Sequence, residues 1–317
     1  MEKHLITGGG GFVGRHVAQL LSSQGNAVSI ASRNPPNFQF DVDAKSYISW
    51  TQLNIAEANW DRLLEGVDTV HHYAWTSLPA SANADPAADL AVNVTATIRL
   101  LDAVKRRGCR ILFASSCGTV YGVTAKPIPE EHLFAPTTAY AAGKATAEIY
   151  LNLYRSFHGL DCRIARIANP YGAGQNTARG QGAVSIFLGK ALRSEPIVIW
   201  GDGTVVRDYI HISDTAAGLV KLAQAQDLGG HCVFNIGSGI GHSLNDLISE
   251  IEWLLGRPLN VEYTPSRSFD VPLNILSIKR AQEILGWEPL LSFPDGLSCM
   301  LADMQAERRL STIPPTA

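Results

Sequence analysis

Residues 4–14 read HLITGGGGFVG, a short apolar run that ends in glycines and continues with helical periodicity. Gly8, Gly11 and Gly14 stand three residues apart. A strand that turns through glycine into a helix presents the helix N-terminus to solvent, where backbone N–H groups attract phosphate. One glycine permits the tight turn, a second lets a pyrophosphate approach the backbone, and Gly14 lets the helix pack closely. Glycine-rich turns also occur without any ligand, so the strand–turn–helix setting carries the dinucleotide reading.

The rest of the first half repeats that alternation. Strands are expected at 4–7, 27–31, 47–50, 69–73, 110–114 and 162–165, and helices at 12–24, 89–107 and 139–157. Short apolar strands separated by amphipathic helices call for a parallel sheet covered on both faces, joined by right-handed crossovers. The second half is more broken. Helices are expected at 183–193, from Asp214 to before Gly229, at 244–255 behind a Ser243 cap, and at 278–285 before Gly286. The expected fold is α/β: a Rossmann-like parallel sheet with helices on both faces and a smaller mixed C-terminal substrate lobe. Residues 1–169 would be mainly the dinucleotide domain and 170–317 mainly the substrate lobe, with some segments crossing back.

Composition narrows the partners. The 317 residues include 26 Lys+Arg and 29 Asp+Glu, a net charge of -3, so no basic surface argues for nucleic acid or an anionic membrane. No stretch reaches the roughly 18 apolar residues of a spanning helix, and the opening run stops at glycines too soon for a signal peptide. The five cysteines form no CxxC pair, which points to free thiols in a reducing, cytoplasmic setting. His71 and His72 alternate faces on a strand without further ligands nearby, so no metal is expected.

Three further segments carry chemistry. After the second strand the chain reads IASRNPP, with no acidic residue to bind two ribose hydroxyls. Ser32 is small, and Arg33 either pairs with a 2′-phosphate, stacks on adenine or is a solvated loop residue. YAAGK places Tyr140 and Lys144 four apart on one helix face. An ammonium beside a phenol favours phenolate, which suits Tyr140 to exchange a proton with a sugar hydroxyl, while Lys144 also holds the nicotinamide ribose. A packed aromatic beside a snorkelling lysine has the same spacing. Upstream, SSCGTVYG offers the hydroxyls of Ser115, Ser116 and Thr119 as donors or as turn caps, and Cys117 as a pocket or core thiol.

TGGGGFVG, SSCGTVYG, YAAGK, RIANPYG, GDGTVVRDYIHISD, NIGSG and LGWEP, in this order, resemble the extended short-chain dehydrogenase/reductase family, especially its nucleotide-sugar 4-epimerases. The resemblance spans nearly the whole chain. It implies Tyr140 as acid/base and Lys144 as its electrostatic partner. The hydroxyl residue usual four places before Tyr121 is replaced by Cys117, a weaker donor, which leaves Thr119 to supply the polar contact. Resembling dehydratases carry Asp-Glu where this chain has Gly118 and Thr119, which speaks against dehydration. Ser32 stands where the family usually has a ribose-binding Asp, yet resembling 4-epimerases hold NAD tightly. Other implied cofactor contacts are Phe12, Val13, Asn54, Ile55, Ala74, Thr76 and Asn93. Trp75 replaces a small residue and either covers the cofactor or reshapes its loop. Asn169, Arg207 and Arg267 resemble the contacts to a sugar diphosphate, and Asp270 orients the nucleotide end or Arg267. His211 and Asp214 read as a turn and helix cap. The expected activity is NAD-dependent, reversible 4-epimerisation of a UDP-hexose or UDP-N-acetylhexosamine through a 4-keto sugar. The alternatives are an NADP-dependent reductase of a nucleotide-linked 4-keto sugar, suggested by Ser32 and Arg33, and a non-catalytic nucleotide-binding protein. The family also implies a homodimer built on the helices at 89–107 and 139–157.

Overall fold

The computed structural model describes the chain except residues 37, 39, 41–47, 123, 125–126, 177–181, 267–270 and 312–317, and except the side chains of 118–119 and 307–311. Thirteen strands follow in chain order: β1 Lys3–Thr7, β2 Ala27–Ser32, β3 Ile48–Gln52, β4 Thr69–His72, β5 Arg110–Ser116, β6 Cys162–Ile167, β7 Asn169–Tyr171, β8 Ile197–Trp200, β9 Val206–His211, β10 Val233–Ile236, β11 Gly241–Ser243, β12 Val261–Thr264 and β13 Leu273–Asn274. Seven of them form one parallel sheet in the order β10-β6-β5-β4-β1-β2-β3. The chain reverses its direction of travel across the sheet between β1 and β4, where Thr7 lies beside His72. A crevice opens at the carboxyl ends of the strands at such a reversal. Gly8 follows Thr7 and Tyr73 follows His72, so the glycine loop and the 74–76 loop flank that crevice.

Both sheet faces are apolar because neighbouring strand residues point to opposite sides. Ile6 packs with Val17, Leu21, Leu219, Val220 and Ala281 under the helices Phe12–Ser23, Ile212–Gln224 and Lys279–Leu285. Leu5 packs with Leu100, Val104 and Leu151 under Thr95–Arg107 and Ala139–His158. Each fully buried aliphatic side chain contributes about 1.5–3 kcal/mol. The helix Ala139–His158 starts where Thr138 accepts from Ala141 N–H and stops at Gly159, whose φ is +65°.

The helix expected at 89–107 is interrupted. Asp85 caps a short turn Pro86–Asp89, a π-helical turn runs Leu90–Val94, and the α-helix proper is Thr95–Arg107. The wider turn lets Asn93 reach back to Asp89, donating to its backbone oxygen at 3.1 Å and to its carboxylate at 2.9 Å.

The smaller lobe holds short strands that hydropathy does not announce, β7, β11 and β13, beside the apolar run of β8. β11, β9 and β13 form a sheet, with β7 also on β9, and β8 pairs with β12. Its core includes Tyr171, Leu188, Ile199, Leu247, Ile251 and Leu297. β10 returns to the main sheet beside β6, and two late helices cover that sheet, so the lobes share their chain segments. Cys109, Cys117, Cys162 and Cys232 are buried and Cys299 exposed, all as free thiols. Among the described residues no helix is long and apolar enough to cross a membrane. Nor does any group of three His, Cys, Asp or Glu residues among them form a metal cradle.

Candidate active site

The glycine loop fits a dinucleotide. Gly8 adopts φ +74°, donates from its N–H to Ala31 O at 2.7 Å, and accepts from Gly11 N–H at 2.8 Å. A Cβ at Gly14 would stand 2.4 Å from Gly8 O, and one at Gly8 would stand 2.8 Å from Ala74 N. The helix beginning at Phe12 and Val13 has Gly11 at its cap position and no side-chain acceptor there. Its first N–H groups are left for an anion such as a pyrophosphate.

The end of β2 is neutral or basic. Ser32 Oγ donates to Asn34 O at 2.8 Å and accepts from Trp50 Nε1 at 3.0 Å. Arg33 beside it is exposed. Asn54 is exposed after β3, and Ile55 is buried in the core there. Across the crevice, Thr76 donates from its N–H and its hydroxyl to Asn93 Oδ1, at 2.9 and 3.0 Å. Asn93 therefore ties the 74–76 loop to the helical segment that starts at Pro86.

Tyr140, Lys144 and Glu148 share one face of the helix Ala139–His158, by their spacing of four. Lys144 is only 3% exposed. Its Nζ donates to Ala114 O at 2.7 Å and stands 4.0 Å from the Trp75 ring centre, 4.6 Å from Phe113 and 5.8 Å from Tyr140. Burial pushes the ammonium down to about 7, against the pull of the Glu148 and Asp89 carboxylates. Burial also pushes the Tyr140 phenol up to about 12, and Asp89 adds in the same direction. Lys144 is not among the groups that shift the phenol here. The spacing of four is present, but the ammonium is turned toward Ala114 and Trp75, and desolvation dominates the phenol.

Beneath this pair lies a buried polar floor. Arg166 forks onto the Glu148 carboxylate, and its Nη1 also donates to Tyr121 Oη at 2.7 Å. Ser115 donates to the same carboxylate, so its hydroxyl serves the floor rather than the crevice. Ser116 ends β5, half-buried. Cys117 is fully buried, and its thiol donates to Asn274 Oδ1 at 3.3 Å while Asn274 Nδ2 donates to Cys117 O at 3.2 Å. Burial pushes that thiol well up. Cys117 thus joins β13 to the turn after β5, and its thiol is not presented to the crevice as a reacting group. Thr119 lies in the helical turn Cys117–Val120, and its side chain is outside the described set.

On the small-lobe side, Asn169 Nδ2 donates to Asp208 O at 2.9 Å. Arg207, on β9, donates from Nη1 to Val206 O and Val271 O, at 2.9 and 2.6 Å. Arg267 and Asp270 fall outside the described residues. His211 caps the helix Ile212–Gln224 through Ser213, and Asp214 accepts from Leu291 N–H. His71 lies between His4 and Tyr73 Oη, whereas His72 lies between Thr7 and Thr97. Sequence reasoning passed over Asp89, Glu148 and Asn274. Glu148 continues the Tyr140, Lys144 spacing and was open to discovery, whereas Asp89 and Asn274 depend on tertiary placement.

A parallel sheet with a glycine loop at its reversal point, and a tyrosine–lysine pair on the helix after β5, defines a dinucleotide-binding protein of the Rossmann type. The NAD dependent epimerase/dehydratase family model matches residues 4–237, and the chain belongs to that family. It is 32% identical over 302 residues to a UDP-glucose 4-epimerase of Mycolicibacterium smegmatis, covering 93% of this chain and 96% of that one. It is 31% identical over 314 residues to a dTDP-4-dehydro-6-deoxyglucose reductase of Escherichia coli, covering 96% and 98%. The crystal structure of a UDP-glucose 4-epimerase of Thermotoga maritima with UDP-glucose matches with a TM-score of 0.89, at 29% identity over 96% of this chain and 99% of that one.

Proposed function

We propose that this chain catalyses NAD-dependent, reversible 4-epimerisation of a UDP-hexose or UDP-N-acetylhexosamine through a 4-keto sugar. The observation that carries the reading is that the glycine loop, with its uncapped helix, lies against Ala74, while Trp75 next to it lies on Tyr140 and Lys144. The similarity to the two UDP-glucose 4-epimerases supports it.

Gly8, Gly11, Phe12, Val13 and Gly14 would hold the pyrophosphate, Ser32 and Arg33 the adenosine ribose, Asn54 and Ile55 the adenine side, and Ala74, Thr76 and Asn93 the middle of the cofactor. Bound NAD would supply a hydride acceptor and donor together with a positive charge. Tyr140 takes the O4 proton as the sugar is oxidised at C4 and returns it when C4 is reduced on the opposite face. A phenol near 12 is protonated at neutral pH; the positive charge supplied with NAD would favour release of that proton to solvent, leaving the phenolate that takes the O4 proton. Lys144 holds the nicotinamide ribose. Thr119 offers the hydroxyl contact to the reacting oxygen. Asn169, Arg207 and Arg267 anchor the diphosphate, with Asp270 orienting the nucleotide end, while the hexose turns.

The test is incubation of purified protein with UDP-glucose and UDP-N-acetylglucosamine, without added cofactor, followed by anomeric proton NMR. A growing galacto-configured signal is expected. Absence of turnover on both, in protein shown to retain NAD, would overturn the reading.

One observation favours a second reading, an NADP-dependent reductase of a nucleotide-linked 4-keto sugar. The end of β2 carries Ser32 and Arg33 without a carboxylate, and a reductase is among the similar proteins. Consumption of NADPH with a 4-keto nucleotide sugar, and none of the epimerisation above, would decide for it.

The free cysteines support a cytoplasmic location, which subcellular fractionation tests. Ile149, Leu153 and Phe157 are exposed at spacing four on the helix Ala139–His158. That stripe supports a homodimer in which this helix meets its counterpart.

A further inference from the structure

Trp75 leaves β4 and lies on the helix that carries Tyr140 and Lys144. The Lys144 ammonium stands 4.0 Å from its ring centre, Phe113 presents a second ring at 4.6 Å, and Ala114 O accepts from Nζ at 2.7 Å. The Tyr140 ring meets the indole edge-on, with centres 6.1 Å apart. Gly143 lies directly against the indole, where a Cβ would stand 3.1 Å from Trp75 Cζ2 and 3.1 Å from Asp89 Oδ2. Gly143 does not have a positive φ, so its backbone does not require glycine. Glycine is also a poor residue for a helix interior. The space it leaves is the reason for its presence. The indole N–H is buried without an acceptor among the described residues, a cost that packing alone does not explain.

We propose that Trp75 is a positioning residue: its indole, seated in the gap left by Gly143, clamps the Lys144 ammonium against Ala114 and so sets where Lys144 meets the cofactor ribose. The inference rests on the assignment of Lys144 to the cofactor site. An ammonium deprived of water is attracted by the face of an aromatic ring, most strongly by indole. The other ionisable groups facing it are Tyr140 and Glu148 on its own helix, Asp89 from Pro86–Asp89 and His72 from β4. Glu148 is already committed to Arg166, and His72 is held neutral by burial. Asp89 already accepts from Asn93 and Ser77, so the indole, with Phe113 as a second ring, is the face that holds Nζ against Ala114.

The test is the titration of Lys144 in the full-length protein, read by competitive amine labelling and mass spectrometry across pH. Trp75→Leu keeps an apolar wall but removes the π face, and the Lys144 midpoint is expected to fall by about one pH unit. Trp75→Phe, with a weaker π face, is expected to fall between the two. Gly143→Ala crowds the seat, so that the indole must give by a few tenths of an ångström, and is expected to lower the midpoint by less than Trp75→Leu does. The NAD dissociation constant is expected to rise about tenfold in Trp75→Leu, as for the loss of about 1.4 kcal/mol, and by less in Gly143→Ala. In the double variant it rises no further, because both changes break one contact. An unchanged Lys144 midpoint in Trp75→Leu, or additive effects in the double variant, would overturn the proposal. Labelling and NAD binding need no turnover. An inactive protein with a Trp75-dependent Lys144 titration would therefore refute the epimerase reading and leave this one standing.

Discussion

Glu148 and Arg166 meet at 2.7 Å across the buried floor under Lys144, with Glu148 side chain at 0% exposure and Arg166 at 5%. Arg166 donates from Nε and Nη2 to the carboxylate, and Ser115 donates to it as well. Removing one partner leaves an uncompensated charge that cannot reach water. Glu148→Ala is expected to destabilise the fold by about 3–5 kcal/mol, read as a lower urea midpoint with an unchanged slope. A midpoint equal to that of the native chain would show that Arg166 finds another counter-charge.

Tyr140 behaves differently, because its hydroxyl has no hydrogen-bond partner among the described residues. Tyr140→Phe is therefore expected to change stability by no more than about 0.5 kcal/mol. The proton transfer at O4 would lose its donor and acceptor, and turnover should fall by about 10²–10⁴-fold. NAD binding should persist, since the ring and Lys144 remain. Turnover near the native rate in the NMR assay would remove Tyr140 from the chemistry.

The first six strands were legible because each is a short apolar run closed by turn residues, and the helices between them show a strong 3.6-residue period. Ser243 with Asp246 gives a reciprocal cap, and the helix Leu244–Leu255 begins where that pattern places it. β7, β11 and β13 are two or three residues long and exist through pairing with β9, so no local period marks them. The π-helical turn at Leu90–Val94 follows from Asn93 reaching Asp89, a contact that a helical wheel does not contain. Within the site, Tyr140 and Lys144 were visible as a spacing. The direction of Nζ was not, because the groups it meets, Trp75 and Ala114, come from the loop after β4 and from β5. Cys117 was open to either reading until Asn274, 157 residues later, drew its thiol into the core.

Buried neutral histidines make the fold sensitive to acid. In the folded chain burial lowers His72 to about 3 and His16 to about 4, from 6.5. A group whose folded pKa is depressed contributes stability above its unfolded pKa and loses it as pH falls toward the folded value. Stability should hold above pH 6.5 and decline from there toward pH 4 and 3. The slope should approach about 1.4 kcal/mol per pH unit for each histidine. Thermal unfolding between pH 8 and 5 reads this directly. The decline should be shallower in His72→Asn, and a flat native curve would contradict the neutral burial of both rings.

Gly14 has no room for a side chain, since a Cβ there would stand 2.4 Å from Gly8 O and 2.8 Å from Gly9 Cα. Gly14→Ala must therefore push the helix Phe12–Ser23 off the loop, which misdirects the N–H groups that would face a pyrophosphate. The expected result is loss of retained dinucleotide, measured from the absorbance released on denaturation, with the far-UV spectrum preserved. Retention at native stoichiometry would place the cofactor elsewhere.

The exposed stripe on Ala139–His158 gives the last expectation. Ile149 is 57% exposed, Leu153 43% and Phe157 77%, all on one side of a helix whose opposite side packs on β5 and β6. Three large apolar side chains at spacing four on one exposed face are what the proposed homodimer would cover. Two copies related by a two-fold axis would bury the stripe against itself, because such an interface uses the same patch on both subunits. Leu153, midway along the stripe, would then lie near its counterpart. Leu153→Glu would place a carboxylate from each copy in an apolar seam and disfavour association through desolvation and like charge. Sedimentation velocity should show a dimer for the native chain and a monomer for Leu153→Glu. The Lys144 titration should be unchanged, since Leu153 lies more than two helical turns from it. A native chain that sediments as a monomer, or a Leu153→Glu dimer, would assign the stripe to another partner or to none.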